Sequence, residues 1–209
     1  MAIKRNGNRR RRPIGQRIPE LGYYIIITDA KETEKNYFEG LRRSIPEHLQ
    51  RSLVVKTKRV DIESFIDVAL DERNKNPIYA QPWIVFDRDQ VHNFDEIIKN
   101  AEDKEIKVGW TNPCIEIWFF AYFAKMPVFE CSGHCCHKFS EYFKKVFGFE
   151  YNKADPLIFE RLKEKGDIRR AIITGKRRYV QLKNDSKSPS KMSSCGTLYQ
   201  LVEEIINKI

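Results

Sequence analysis

Trp83-Ile84-Val85-Phe86-Asp87-Arg88-Asp89-Gln90-Val91-His92 is the stretch that decides the fold. Its first four residues are β-branched or aromatic, the composition of a buried strand. Asp87 and Asp89 follow at once, with one residue between them. In an open α/β sheet, ligands gather beyond the carboxyl ends of the strands, so this acidic pair falls where a site belongs. Two carboxylates so spaced can share a hard divalent cation. Mg²⁺ suits the place, because it takes few protein oxygens and keeps waters for a phosphate substrate. The plain alternative is an Asp-Arg-Asp turn that only caps the next helix.

Working outward, residues 23–28 read as a first strand ending at Asp29, residues 53–58 as a second and residues 106–110 as a fourth. Residues 32–49 read as helical with a break at Pro46, because proline interrupts a helix interior. Asp61 caps a helix reaching about Asp71, and residues 94–101 form another. Asn112-Pro113 opens a helix over residues 114–123 that is apolar nearly all round and is expected to be buried. Strands alternating with helices imply an α/β fold with a mostly parallel four-stranded sheet and helices on both faces. From about Lys125 the rhythm changes. Residues 141–147, 155–165, 167–179 and 197–209 read as helices, residues 183–196 as a loop, and no further strand is expected. The expected organisation is a basic tail (1–18), an α/β core (19–124) and a helical region (125–209) packed on that core.

The chain carries 38 basic and 29 acidic residues, a net charge of +9. Lys4, Arg5, Arg9, Arg10, Arg11, Arg12 and Arg17 all lie in the first 18 residues, which hold no acid. The remainder has 31 basic against 29 acidic residues, so the basic character belongs to the tail. Such a tail is expected to be flexible in isolation and drawn to RNA or DNA. A solubilising arm, or one that docks on an acidic protein, is the alternative. No apolar run approaches the roughly 20 residues that span a bilayer. No apolar stretch follows the basic start as a signal peptide requires, so a cytoplasmic protein is expected. Five cysteines, an odd count, argue against a disulfide framework.

Three acidic loci fall at element ends: Asp29 with Glu32 and Glu34 beyond it, Asp87 with Asp89, and Glu116. Adjacent parallel strands would bring them to one edge, where like charges repel unless a cation binds. Metal-assisted phosphodiester cleavage needs such a cluster, since the metal acidifies an attacking water and neutralises charge on the phosphate. His92 is a candidate acid or base, or else a hydrogen-bonding bystander. Residues 131–137 bring Cys131, His134, Cys135 and His137 close in sequence, all zinc-compatible types. A single tight cluster lacks the two separated ligand pairs of a structural zinc site, so a Cys/His loop without Zn²⁺ is expected there.

Three blocks carry a family resemblance. The first is Thr28-Asp-Ala-Lys-Glu-Thr-Glu-Lys-Asn-Tyr-Phe-Glu-Gly40, the second Phe86-Asp-Arg-Asp-Gln-Val-His92, and the third Thr111-Asn-Pro-Cys-Ile-Glu-Ile-Trp118. They resemble, in order and spacing, the blocks of the RloB-like (AbiLii-like) family. There the first runs Cys-Glu-Gly-x-x-Thr-Glu-x-x-Tyr-Phe, the second is Asp-x-Asp followed by His, and the third is Ser-Asn-Pro-x-x-Glu-x-Trp. Tyr151-Asn-Lys153, Ala171-Ile172, Gly196-Thr197 and Leu201-Val202 are similar to its later part.

The resemblance implies a TOPRIM-like fold in which a first-strand Glu and the Asp-x-Asp hold Mg²⁺, or Mn²⁺ in its place. Asp29, Asp87 and Asp89 are then the metal ligands. It also implies an abortive-infection role in bacterial defence against phage, beside an ABC- or AAA-type ATPase. Related TOPRIM proteins in such two-part systems are toxins that cut tRNA or DNA. One departure stands out: Asp29-Ala30 replaces the family's Glu-Gly, with a shorter acid and without the positive φ open to glycine. Glu34 is a candidate to take over part of that load. The expectation is a Mg²⁺-dependent nuclease toxin using Asp29, Glu34, Asp87, Asp89, His92 and Glu116, with Arg9, Arg10, Arg11, Arg12 and Arg17 on nucleic acid. The alternative is a module that keeps the shape and binds nucleic acid or its partner without cutting. A nucleotide-signal sensor is a third reading, unsupported by any Gly-rich phosphate loop. A homodimer stays open.

Overall fold

The structure, a computed structural model, describes residues 22–29, 32–58, 60–75, 80–89, 91–185 and 188–209, with only the backbone of Asp29 and Ala80. The Arg-rich start therefore lies outside the described residues.

Four parallel strands form the centre: β1 (Tyr23–Asp29), β2 (Leu53–Lys58), β3 (Ala80–Asp87) and β4 (Lys107–Asn112). A fifth, β5 (Cys195–Gly196), pairs antiparallel to β4 and completes the order β2-β1-β3-β4-β5. The expectation of four strands is thus corrected to five. A two-residue strand leaves no hydrophobic periodicity to read. It fits because Gly196 lacks a Cβ, which would stand 2.5 Å from the Trp110 carbonyl oxygen.

Strand alternation splits the core in two, as period-2 side chains must. Tyr24, Ile26, Trp83 and Val85 face one side. There they meet α1 (Glu32–Ser44), α4 (Glu116–Ala121) and α8 (Leu198–Ile206). On the other side Ile25, Ile27, Ile84 and Phe86 pack on α2 (Ser64–Lys75) and α3 (Phe94–Asp103). Each such buried Ile or Phe contributes about 1.5–3 kcal/mol relative to exposure. A 3-10 turn over Glu47–Ser52 follows α1 at Pro46, where the break is expected.

The helical half is α5 (Ser132–Phe147), α6 (Ile158–Lys165), α7 (Ile168–Asn184) and α8. Asp167 caps α7 by accepting from the Arg170 N–H at 2.8 Å. α4 is buried throughout and packs on α5 and α7, so the two halves share one core. Residues 131–137 are not a loop: α5 begins at Ser132, nine residues before the expected start. Burial of Cys135, Phe139 and Phe143 at helical spacing against the α4 layer outweighs the weak helix preference of the Ser-Gly-His start. No helix among the described residues is long and apolar enough to cross a membrane.

Candidate functional site

β3 delivers Asp87 to the carboxyl edge, opposite Thr111 of β4, whose hydroxyl donates to Asp87 Oδ1. The chain is then pinned to the link between β4 and α4. The Arg88 N–H donates to the Thr111 carbonyl at 2.8 Å, and the Asp89 N–H to the Pro113 carbonyl at 3.1 Å. Asp89 has φ +23°, a conformation that costs a non-glycine residue about 1–3 kcal/mol and persists only when its surroundings over-determine it. Those backbone bonds help hold it, as does the Ser132 hydroxyl, which donates to Asp89 Oδ1 at 2.6 Å. Since Ser132 opens α5, the helical half supplies one wall of the site.

The first turn of α1 contributes Glu32 and Glu34, where acids suit the positive end of the helix dipole. Glu34 is buried. Next to it, the Thr33 hydroxyl donates to the Lys153 carbonyl at 3.1 Å and ties α1 to the segment between α5 and α6. Glu116, at the start of α4, is 1% exposed; Tyr151 donates its hydroxyl to Glu116 Oε1 at 3.2 Å and Lys153 Nζ lies 3.5 Å away. Burial works against the Lys153 charge, but Glu116 and a bond to Cys136 outweigh it and hold the ammonium above the ordinary lysine range. Tyr151 is pushed up as well, by burial first and then by the Glu116 charge.

These groups surround one cavity of about 490 Å³. Among its described lining residues, Glu32, Glu34, Asp87, Asp89 and Glu116 carry carboxylates and Lys153 alone carries an ammonium. Such a surplus of acid attracts cations and anything that brings cations with it. Glu34, Asp87, Asp89 and Glu116, four of the residues singled out from sequence, are brought together here. Asp29 ends β1 at the same edge, beside Lys58 of β2, while its side chain lies outside the described residues. His92 sits exposed in the turn before α3 and does not line the cavity. Arg9, Arg10, Arg11, Arg12 and Arg17 lie outside the described residues.

Cys131, His134, Cys135 and His137 do not converge. The helix fans them out: Cys135 is buried, His134 stacks edge-on against Phe129, and His137 pairs with Glu141 at 3.2 Å. Cys136, which the tight-cluster reading passed over, instead turns toward Cys114, with the two sulfurs 3.7 Å apart. Glu116 joins them, and the three ligand atoms lie within 4.8 Å of one another. Among the described residues this is the closest gathering of three metal-ligating types. Both thiols are pushed up, Cys114 chiefly by its hydrogen bond with Cys135 and Cys136 chiefly by that with Cys114. Lys153, Tyr151, Ser132 and Thr111 are further site residues that sequence reasoning did not place there.

The chain is thus a mostly parallel α/β protein with an acidic cavity beyond the carboxyl ends of its strands, the place where ligands gather in open α/β sheets, walled by a helical half. Residues 24–205 match the model of the RloB-like protein family, and the chain belongs to that family. No curated protein and no solved structure matches it.

Proposed function

We propose that the chain is a divalent-cation-dependent nuclease with its active site in the carboxyl-edge cavity, serving as an effector of anti-phage abortive infection. The observation that carries this reading is the convergence of Glu34, Asp87, Asp89 and Glu116, from three elements, on one cavity beside Lys153. The donor set fits Mg²⁺ or Mn²⁺, which take carboxylate oxygens and retain waters. Asp87 and Asp89 would hold the cation, with Asp29 and Glu34 as the further candidates. When bound, the cation supplies an acidified water and neutralises charge on a phosphodiester.

The chain's own residues supply orientation and charge. Thr111 and Ser132 each donate to one oxygen of Asp87 and Asp89 and fix how these carboxylates face the cavity. Lys153, kept protonated by its neighbours, meets the phosphate oxygens of a tRNA or DNA strand as a point charge. Glu116 and Tyr151 hold that lysine end of the cavity in place. The Arg-rich tail draws the polyanion in. Cytoplasmic action under an ABC- or AAA-type ATPase partner belongs to the same proposal, through the family resemblance.

The test is cleavage of total tRNA and of plasmid DNA by the purified full chain, with Mg²⁺ or with chelator. New ends should appear only with Mg²⁺ and should vanish in Asp87→Asn/Asp89→Asn. Equal cleavage by that double variant overturns the mechanism. The second reading, a binding module, is favoured by Asp29-Ala30 at the family's Glu-Gly position. It predicts retention of nucleic acid with no new ends under any metal.

A further inference from the structure

We propose that Cys114, Glu116 and Cys136 form a second metal site in the same cavity, selective for a soft or borderline cation of the Zn²⁺ class. This goes beyond the nuclease reading and stands or falls separately from it, because its ligands are sulfur and its readout is metal content.

Geometry carries the inference. Zinc holds thiolates at about 2.3 Å in a tetrahedron, which sets two ligand sulfurs about 3.8 Å apart. Cys114 Sγ and Cys136 Sγ lie 3.7 Å apart, and a carboxylate oxygen of Glu116 lies within 4.8 Å of both. Glu116 opens α4, Cys114 stands two residues before it in the short link from β4, and Cys136 lies in the second turn of α5, which packs on α4. Glu116 and Cys136, on packed helices, keep their spacing better than ligands on loops would. Tyr151 donates to the Glu116 carboxylate at 3.2 Å and orients it, as outer-shell partners of metal ligands do. All three residues line the cavity, so a fourth position can open onto it, which is the pattern of three protein ligands and one exchangeable site.

A cation already rests against these atoms. Lys153 Nζ is 3.5 Å from Glu116 Oε1 and lines the cavity together with Cys136. Its side chain is 60% exposed, so it can withdraw into solvent when a metal enters. The class of metal follows from the donors. Thiolates select zinc-like ions over Mg²⁺, which takes oxygen. The acidic pair Asp87 and Asp89 offers only oxygen, and the cavity thus holds a hard end and a soft end.

The experiment titrates the reduced full-length chain with Co²⁺, whose bonds to thiolates give near-ultraviolet charge-transfer absorption. The proposal expects saturation at one ion per chain and displacement by Zn²⁺. The absorption should be lost in Cys136→Ser and kept in Asp87→Asn/Asp89→Asn and in Cys131→Ser/His134→Ala. Lys153→Gln should tighten binding severalfold by removing the competing ammonium. Cys136 is half-buried, so its substitution spares the core better than one at Cys114, and an unchanged melting temperature checks folding. Absence of the band in the wild-type chain, its survival in Cys136→Ser, or a metal-free Cys114–Cys136 disulfide in the protein as purified would overturn the proposal.

Discussion

The two ends of the sheet carry cavities of nearly equal size, about 460 Å³ at the amino end and 490 Å³ at the carboxyl end, both lined by more acids than bases, yet those acids are held differently. At the amino end Glu204 meets Lys107 at 2.7 Å, Lys208 at 3.6 Å and the Tyr24 hydroxyl at 2.9 Å. Lys107 and Lys208 also stand over the rings of Trp83 and Tyr24. Burial works to raise the Glu204 carboxyl, but bonds from Lys107 and Tyr24 overcome it and hold the group below the usual range. At the carboxyl end five described acids face one lysine. Neither volume nor the count of acids therefore distinguishes the two cavities, whereas burial does: Glu102 and Glu105 at the amino end are exposed to water, while Glu34 and Glu116 at the carboxyl end are buried. Charges answered within the chain contribute to stability. Surplus charge costs stability until a ligand offsets it.

Reversing the surplus should have the largest effect. On the proposed mechanism Asp87→Asn/Asp89→Asn removes groups that stabilise the transition state, and losing one such group costs about 10²–10³ in rate. Cleavage assays should show at least that loss, while the melting temperature stays level or rises because repulsion is relieved. A falling melting temperature would show that the acids are structural, like Glu204.

Deleting residues 1–12 removes six of the seven tail cations and asks whether substrate reaches the acidic cavity through the tail's charge. Affinity for nucleic acid, measured against salt, should drop about tenfold or more with a shallower slope, since fewer counterions are released. Identical slopes would move the binding surface elsewhere.

Glu204→Gln probes the paired acid of the amino end. It weakens charge-assisted bonds and should cost about 1–2 kcal/mol, a few degrees in melting temperature, with cleavage unchanged. The acid limb of stability sharpens the same point. Glu204 and Glu72 are both depressed below 4.5, Glu72 chiefly by its bond from Lys56. A depressed carboxyl contributes stability above its unfolded pKa and loses it as pH falls through the folded value. Denaturation midpoints should thus hold near neutrality and fall at pH values below about 4.5, less steeply in Glu204→Gln.

The strands were legible because Tyr23–Asp29, Leu53–Lys58 and the residues before Asp87 are runs of β-branched and aromatic side chains, and the helices between them fixed a parallel sheet. From that sheet the meeting of Asp87 with Glu116 at one edge followed. The soft end of the cavity did not follow, because Cys114 and Cys136 are 22 residues apart and meet only through the packing of α4 on α5. The start of α5 was hidden for the same reason: Ser132-Gly133-His134 shows little helical preference, and the burial that fixes it belongs to Cys135, Phe139 and Phe143. Lys153 reaches Glu116 from a connecting segment with no periodicity to read. Asp29-Ala30 and the tail fall at positions of which the structure describes at most the backbone.

The central claim is that the carboxyl edge binds a hard cation because its acids, with Glu34 and Glu116 buried, outnumber its bases, and thermal unfolding against Mg²⁺ concentration tests it most directly. A ligand that binds only the folded chain raises stability with its concentration. The wild-type melting temperature should climb with Mg²⁺, while Asp87→Asn/Asp89→Asn should start level or higher and stay flat. Parallel curves for the two proteins would contradict the claim.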